Sequence, residues 1–269
     1  GRGSMGVMRV LHVAPEAYPL AKVGGLADVV GALPKALGPL GVEAHVLLPW
    51  HGGLEARRVG EVAFAFFGRE ERAPLGERVE GGVRFLLLGV EGFGRERVYG
   101  YPDDAERYLR FALAAKEVAR GYDLVHAHDW TAALLALYAP TVYTIHNLAH
   151  QGLVDPGLFF SWTGLPWSLF HMEALEFYGR VNLMKGGIVF ARRVTTVTEA
   201  VVMLGYDELV AEMEQSDVVI AQGGPATIMD ARSVGQRPIV IPRLARFDEV
   251  VDDHQVAFTD WMAAKELVW

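Results

Sequence analysis

Four short apolar runs in this chain end in polar or small residues: MRVLHVA (8–14), DLVHAHD (123–129), TVYTIHN (141–147) and RVTTVT (193–198). Helical patterns are interspersed between such runs. A strand that is apolar along its whole length is buried on both faces, and strands alternating with helices pair in parallel. The pattern predicts an α/β fold built on a Rossmann-like, doubly wound parallel sheet. Ligands of such sheets gather at the carboxyl ends of the strands. His126, His128, Asp129, His146 and Asn147 all fall there.

EAHVLLP (43–49) reads as a further strand, and 104–120 as a helix stopped by Gly121. AFAFF (63–67) and VRFLLLGV (83–90), separated by polar, Gly-rich sequence, predict a hairpin-like excursion. Beyond about residue 200 the order is helix (207–216), strand (DVVIAQ), GGP turn, helix (PATIMDARSVG), strand (PIVIP) and a last helix from His254. Two strands are too few for an independent sheet, so the tail is expected to form a reduced second lobe or to extend a sheet. The expected domains are 8–200, a full Rossmann-like domain, and 201–269, a partial one; GRGSMGV (1–7) reads as an expression-tag scar. Amides are scarce in the first 200 residues (Asn147, Gln151, Asn182), as in proteins built for heat, whereas the tail holds four glutamines.

Composition removes several function classes. The absence of cysteine excludes disulfides and thiolate-ligated metals, and a cytoplasmic protein is expected. A net charge of −8 opposes non-specific nucleic-acid binding. No apolar run approaches the roughly 18 residues of a membrane span. No Gly-x-Gly-x-x-Gly follows the first strand, which disfavours a dehydrogenase. The Asp103-Asp104 and Asp252-Asp253 pairs lie in loop-like sequence, where a metal-dependent transferase would need a strand end. An incomplete second domain would leave apolar surface uncovered, so self-association is expected.

In the stretch Lys22-Val23-Gly24-Gly25, glycines allow close backbone approach, a helix N-terminus favours anions, and lysine adds a cation. The bland alternative is a turn requiring positive φ, with Lys22 merely solvated. Gly223-Gly224-Pro225 opens a later helix in the same way. His126 and His128 share one strand face; without a third ligand nearby, a structural or substrate-lining role is preferred to a metal, and no metal is expected. Asp28, on the first helix, is read equally as a capping or solvated residue and as a functional one. Trp162, Trp167, Phe170, Phe177 and Tyr178 could stack on sugars, with core packing the better reading for most of them.

KVGGLADVVGALPKAL, DLVHAHDWTAALL, TIHNLAHQG and LPWSLFHMEALEFYGRVNLMKGGIVFARRVTTVT together make residues 8–198 resemble the amino-terminal domain of bacterial glycogen (starch) synthases. The resemblance implies a retaining glycosyltransferase of the two-domain GT-B type. Such an enzyme moves glucose from a nucleotide diphosphate sugar to an α-glucan; that sugar is a substrate, and no cofactor is implied. It further implies that Lys22, Gly24 and Gly25 contact the donor's phosphates, as donor-phosphate-binding residues, or its sugar, that His146 is the catalytic histidine beside the transferring sugar, and that Asn147 contacts the donor sugar. At Thr198-Glu199, where the family continues Ser-Pro, the pattern stops. SDVVIAQGGPATIMDARSVGQRPIVIPRLARFDEVVDDHQVAF, within 205–260, resembles part of the donor-binding domain of inverting N-acetylglucosaminyltransferases and exopolysaccharide-type GT-B enzymes. That second resemblance implies a diphosphate at Gly223 and Gly224, ribose at Asp230 and the donor sugar at Gln255. An engineered chimera with a truncated second lobe is the expectation. It would be either a transferase using an ADP- or UDP-glucose-like donor and an α-glucan-like acceptor, or a scaffold that folds, binds nucleotide and turns nothing over. A half-enzyme needing a second chain is the third possibility.

Overall fold

The computed structural model describes residues 7–196, 206–216, 219–222, 225–241 and 254–268. The chain divides into two compact units, Gly1–Val201 and Val202–Trp269.

In the first unit the elements run β1 (Met8–Val13), α1 (Gly25–Leu37), β2 (Val42–Pro49), β3 (Arg57–Phe66), β4 (Arg69–Glu80), β5 (Val83–Leu88) and α2 (Asp104–Ala119). There follow β6 (Leu124–His128), β7 (Thr141–Ile145), β8 (Leu153–Val154), α3 (Pro156–Thr163), β9 (Glu176–Phe177), β10 (Arg180–Asn182), α4 (Leu183–Phe190) and β11 (Arg193–Thr196). Eight strands form one sheet in the order β11-β7-β6-β1-β2-β5-β4-β3, parallel from β11 to β5. Successive residues of β2 explain the unbroken apolar runs. Leu47 packs in the cluster with Leu11, Leu88 and Phe111 of α2, while Val46 and Leu48 pack in the other with Val30 of α1. Side chains alternate across a strand, so a sheet covered on both faces must be apolar at every position.

After β1 the chain builds outward through β2 and β5, then returns to add β6, β7 and β11 on the other side. The order therefore reverses between β1 and β6, which creates a crevice at their carboxyl ends.

The predicted hairpin is a three-stranded antiparallel meander, because β4 forms where the sequence suggested polar loop. Its residues, REERAPLGERVE, show little apolar alternation. Ala73 and Leu75 pack against the core, and charge pairs flank them: Glu77 takes Arg57 and Arg84, each at 2.5 Å, and Arg110 of α2 reaches Glu71 at 2.9 Å. The short helix after β6 is a 3-10 turn, Ala133–Leu137.

The second unit contains α5 (Tyr206–Gln215), β12 (Ile220–Gln222), α6 (Pro225–Ser233), β13 (Ile239–Ile241) and α7 (His254–Ala264). Among the described residues β12 and β13 pair in parallel with each other alone, rather than extending a sheet. Ile228 of α6, Val240, Met262 and Val268 make its small core. No helix among the described residues is long and apolar enough to cross a membrane.

Candidate functional site

A pocket of about 770 Å³ opens in the first unit, lined by residues that include Glu16, Gly24, Gly25, Tyr99, Asp129, His146 and Asn147. Glu16 lies just beyond β1, Asp129 just beyond β6 and His146 just beyond β7. These are the strand ends flanking the reversal, so topology alone brings together groups over a hundred residues apart.

The glycines are not there for a left-handed turn. Gly24 caps α1 in extended conformation (φ −142°), and Gly25 is outside the positive-φ glycines. A Cβ built on either meets nothing within 4 Å. The protein alone would tolerate side chains at both positions, and the open space above them is room for something else. Glu16, 2% exposed, ties the loop down by accepting the N–H groups of Val23 and Gly24. Burial raises its carboxyl pKa, against the lowering effect of those bonds and of the Tyr99 hydroxyl. Tyr99 is delivered by a loop that buried Arg107 holds through the carbonyls of Val98 (2.5 Å) and Gly92 (3.3 Å).

Asp129 has φ +57°, left-handed for a residue with a side chain. Its Oδ1 accepts the N–H of His146 at 2.7 Å and of Asn147 at 3.3 Å, fixing the end of β7. No described residue bonds Oδ2. Burial, with Glu16 adding a little, raises its pKa to about 6 against those two bonds and His150. His146 gives its Nε2 edge to His128 Nδ1 at 2.9 Å. Burial lowers its pKa to about 4, so the ring is neutral at pH 7.

Of the predicted site residues, the pocket unites Gly24, Gly25, His146 and Asn147. Lys22 lies on a neighbouring pocket with His51 and Arg97 and is paired with Asp28 at 2.7 Å. Asp28 is thus a pairing residue rather than a cap. Asp230 of α6 accepts the Tyr206 hydroxyl at 3.1 Å. Gln255 falls in the first turn of α7, and Gly223 and Gly224 lie outside the described residues. The aromatics divide: Trp162 and Phe170 pack against the core, whereas Trp167, Phe177 and Tyr178 are exposed. Glu16 and Tyr99 were missed. The signal for Glu16 was available, since it is a carboxylate immediately following a parallel strand; Tyr99 comes from a loop with no such mark.

No lysine or arginine is among the described residues lining the pocket, whereas Glu16, Asp104 and Asp129 are. Asp104 is saturated by Gly100, Tyr101 and Arg107. What remains, a carboxylate oxygen and a neutral imidazole beside an open helix N-terminus, suits a polyhydroxylated ligand better than a bare diphosphate.

A crevice at the reversal point of a Rossmann-like sheet is where open α/β folds bind ligands, and the fold is that of the GT-B glycosyltransferases. Residues 9–203 match the family model of the starch synthase catalytic domain, and the chain belongs to that family. Residues 177–269 match a second model, the glycosyltransferase family 28 C-terminal domain, so both resemblances read from the motifs hold. The chain is 99% identical over 191 residues to a glycogen synthase of Thermus thermophilus, covering 71% of this chain and 44% of that protein. A Deinococcus deserti glycogen synthase is 42% identical over 204 residues, with the same coverage. The chain therefore spans less than half the length of these curated relatives. The catalytic domain of starch synthase IV from Arabidopsis thaliana, bound to ADP and acarbose, shares the fold. Its TM-score is 0.66 at 19% identity, over 96% of this chain and 72% of that one.

Proposed function

We propose that the first unit's pocket receives the hexosyl end of a nucleotide diphosphate sugar, with an α-glucan as acceptor, in a GT-B-type glucosyl transfer. The observation that carries this is the convergence of Gly24, Gly25, Asp129, His146 and Asn147 on one pocket. His146 lies beside the transferring sugar, Asn147 and Asp129 take its hydroxyls, and the α1 N-terminus faces the phosphates. Lys22 adds a cation to the phosphates once released from Asp28. Gly223, Gly224, Asp230 and Gln255 are assigned to the diphosphate, ribose and sugar on the strength of the tail's family. The exposed rings of Trp167, Phe177 and Tyr178 are offered to the glucan, a cytoplasmic setting suits a cysteine-free chain, and self-association belongs to the same proposal.

A second reading is favoured by the change of family along the chain: an engineered hybrid that folds and binds nucleotide without turnover. Calorimetric titration with ADP, UDP and their glucose conjugates, on this protein and on Lys22→Ala, His146→Ala and Asp230→Ala, tests both. Binding weakened by His146→Ala for the glucose conjugates but not for the bare nucleotides is the expected result. Binding without glucose release or transfer supports the hybrid, and no binding of any of the four refutes both.

A further inference from the structure

Behind the pocket runs a chain of imidazoles. His12 Nδ1 lies 3.4 Å from His128 Nε2, and His128 Nδ1 lies 2.9 Å from His146 Nε2. His12 and His128 are fully buried on the paired strands β1 and β6, while His146 lines the pocket. Burial first, then neighbouring histidines, hold His12 near pKa 3 and His128 well below the ordinary range; burial alone holds His146 near 4. All three rings are therefore neutral at pH 7.

A neutral imidazole carries one ring proton. Three rings carry three protons, each of the two links uses one, and the third must sit at an end of the chain. One end is His12 Nε2, which is enclosed and has no hydrogen-bond partner among the described residues. The other is the Nδ1 edge of His146, where water or a ligand can accept. A buried N–H without an acceptor is among the rarest features of native proteins, so the proton belongs at the pocket end.

His12, His126 and His128 also bring one ligand nitrogen each within 4.8 Å of the others, the spacing of a metal site. Ring orientation argues for a stack instead. His126 and His128 lie 4.2 Å apart with 25° between their planes. A metal lies near the plane of each imidazole that binds it, and planes this nearly parallel do not meet within bonding distance of both rings. His126 is held by Thr144 at 2.6 Å.

We propose that His12 and His128 are positioning residues that lock His146 in the tautomer carrying its proton on Nδ1, so that it meets the pocket's ligand as a hydrogen-bond donor to a hydroxyl or phosphate oxygen. The ligand part of this rests on the proposed sugar site; the tautomer part does not. The links run from His12 Nδ1–H to His128 Nε2, and from His128 Nδ1–H to His146 Nε2.

Long-range proton–nitrogen correlation spectra of the 15N-labelled, ligand-free full chain read the tautomer directly, with ring resonances assigned by single-histidine substitution. The expected spectrum has His146 protonated at Nδ1 and bare at Nε2. A His146 protonated at Nε2 in the wild-type protein overturns the proposal without recourse to any variant. His128→Asn keeps an N–H near the old Nδ1 and should preserve the tautomer. His128→Leu removes it and should return His146 to the Nε2–H form that a free histidine side chain prefers. An unchanged tautomer in folded His128→Leu also overturns it, and the wild-type spectrum decides the proposal whether or not that variant folds. Nucleotide-sugar affinity should fall about two- to tenfold in His128→Leu, the range of one neutral hydrogen bond. The expected tautomer with ring shifts unmoved by ADP-glucose, UDP-glucose or maltooligosaccharide would uphold the lock and sink the sugar-site reading.

Discussion

Asp129→Asn removes a charge that the fold holds against its preference. Burial raises the Asp129 pKa from its ordinary 3.8 to about 6. The folded protein therefore keeps a proton that the unfolded chain releases between about pH 4 and pH 6, and stability falls as pH rises through that window. At roughly 1.4 kcal/mol per pH unit, the full penalty above pH 6 is at most about 3 kcal/mol. Asparagine can accept the same two N–H bonds from His146 and Asn147 through its Oδ1, so geometry is kept while the penalty goes. Urea unfolding of both proteins, followed by tryptophan fluorescence at half-unit steps from pH 4.5 to 8, isolates this group, because other titrating groups cancel in the difference. The variant should gain stability relative to the parent as pH rises, with a plateau above about 7. A difference that is flat with pH, or that grows towards acid, would refute the burial account of Asp129.

Two further contrasts follow from packing. Gly25→Ala should leave stability unchanged or raise it by up to about 1 kcal/mol, since its Cβ meets nothing, yet weaken nucleotide-sugar binding by filling the pocket. Gly31→Ala should do the reverse in calorimetry, losing about 1–3 kcal/mol of stability, because its Cβ collides with the Tyr18 carbonyl oxygen, which is backbone and cannot swing aside. Arg107→Met removes the guanidinium 2.7 Å from the Asp104 carboxylate, which keeps only the N–H groups of Gly100 and Tyr101, and takes a donor from the Val98 and Gly92 carbonyls. A loss of about 3–5 kcal/mol in urea unfolding is expected, with Tyr99 freed from its place against Glu16.

The sheet was legible because burial on both faces writes itself into sequence: β1, β2, β6 and β7 are predominantly apolar without a polar face. The site was half legible for the same reason, since His146 and Asn147 mark a strand's carboxyl end. β4 was not legible, because Arg–Glu pairing across a meander leaves no apolar period, only charges that a loop would also carry. Glycines at the mouth of α1 invited two readings, and only coordinates decided between them: extended backbone and open space, not a left-handed turn. Lys22 reads from the sequence as a free cation beside those glycines, and only the fold shows that Asp28, six residues on, pairs with it at 2.7 Å. Most of all, the sequence offered His126 and His128 without a third partner, and His12 was unremarkable inside its strand. By itself the sequence determined which buried segments are strands and where polar groups must emerge, since both follow from local periodicity. That His12 stands beside His128, and His128 beside His146, was decided by strand order, a long-range choice that burial and register make together and that no window of neighbouring residues records.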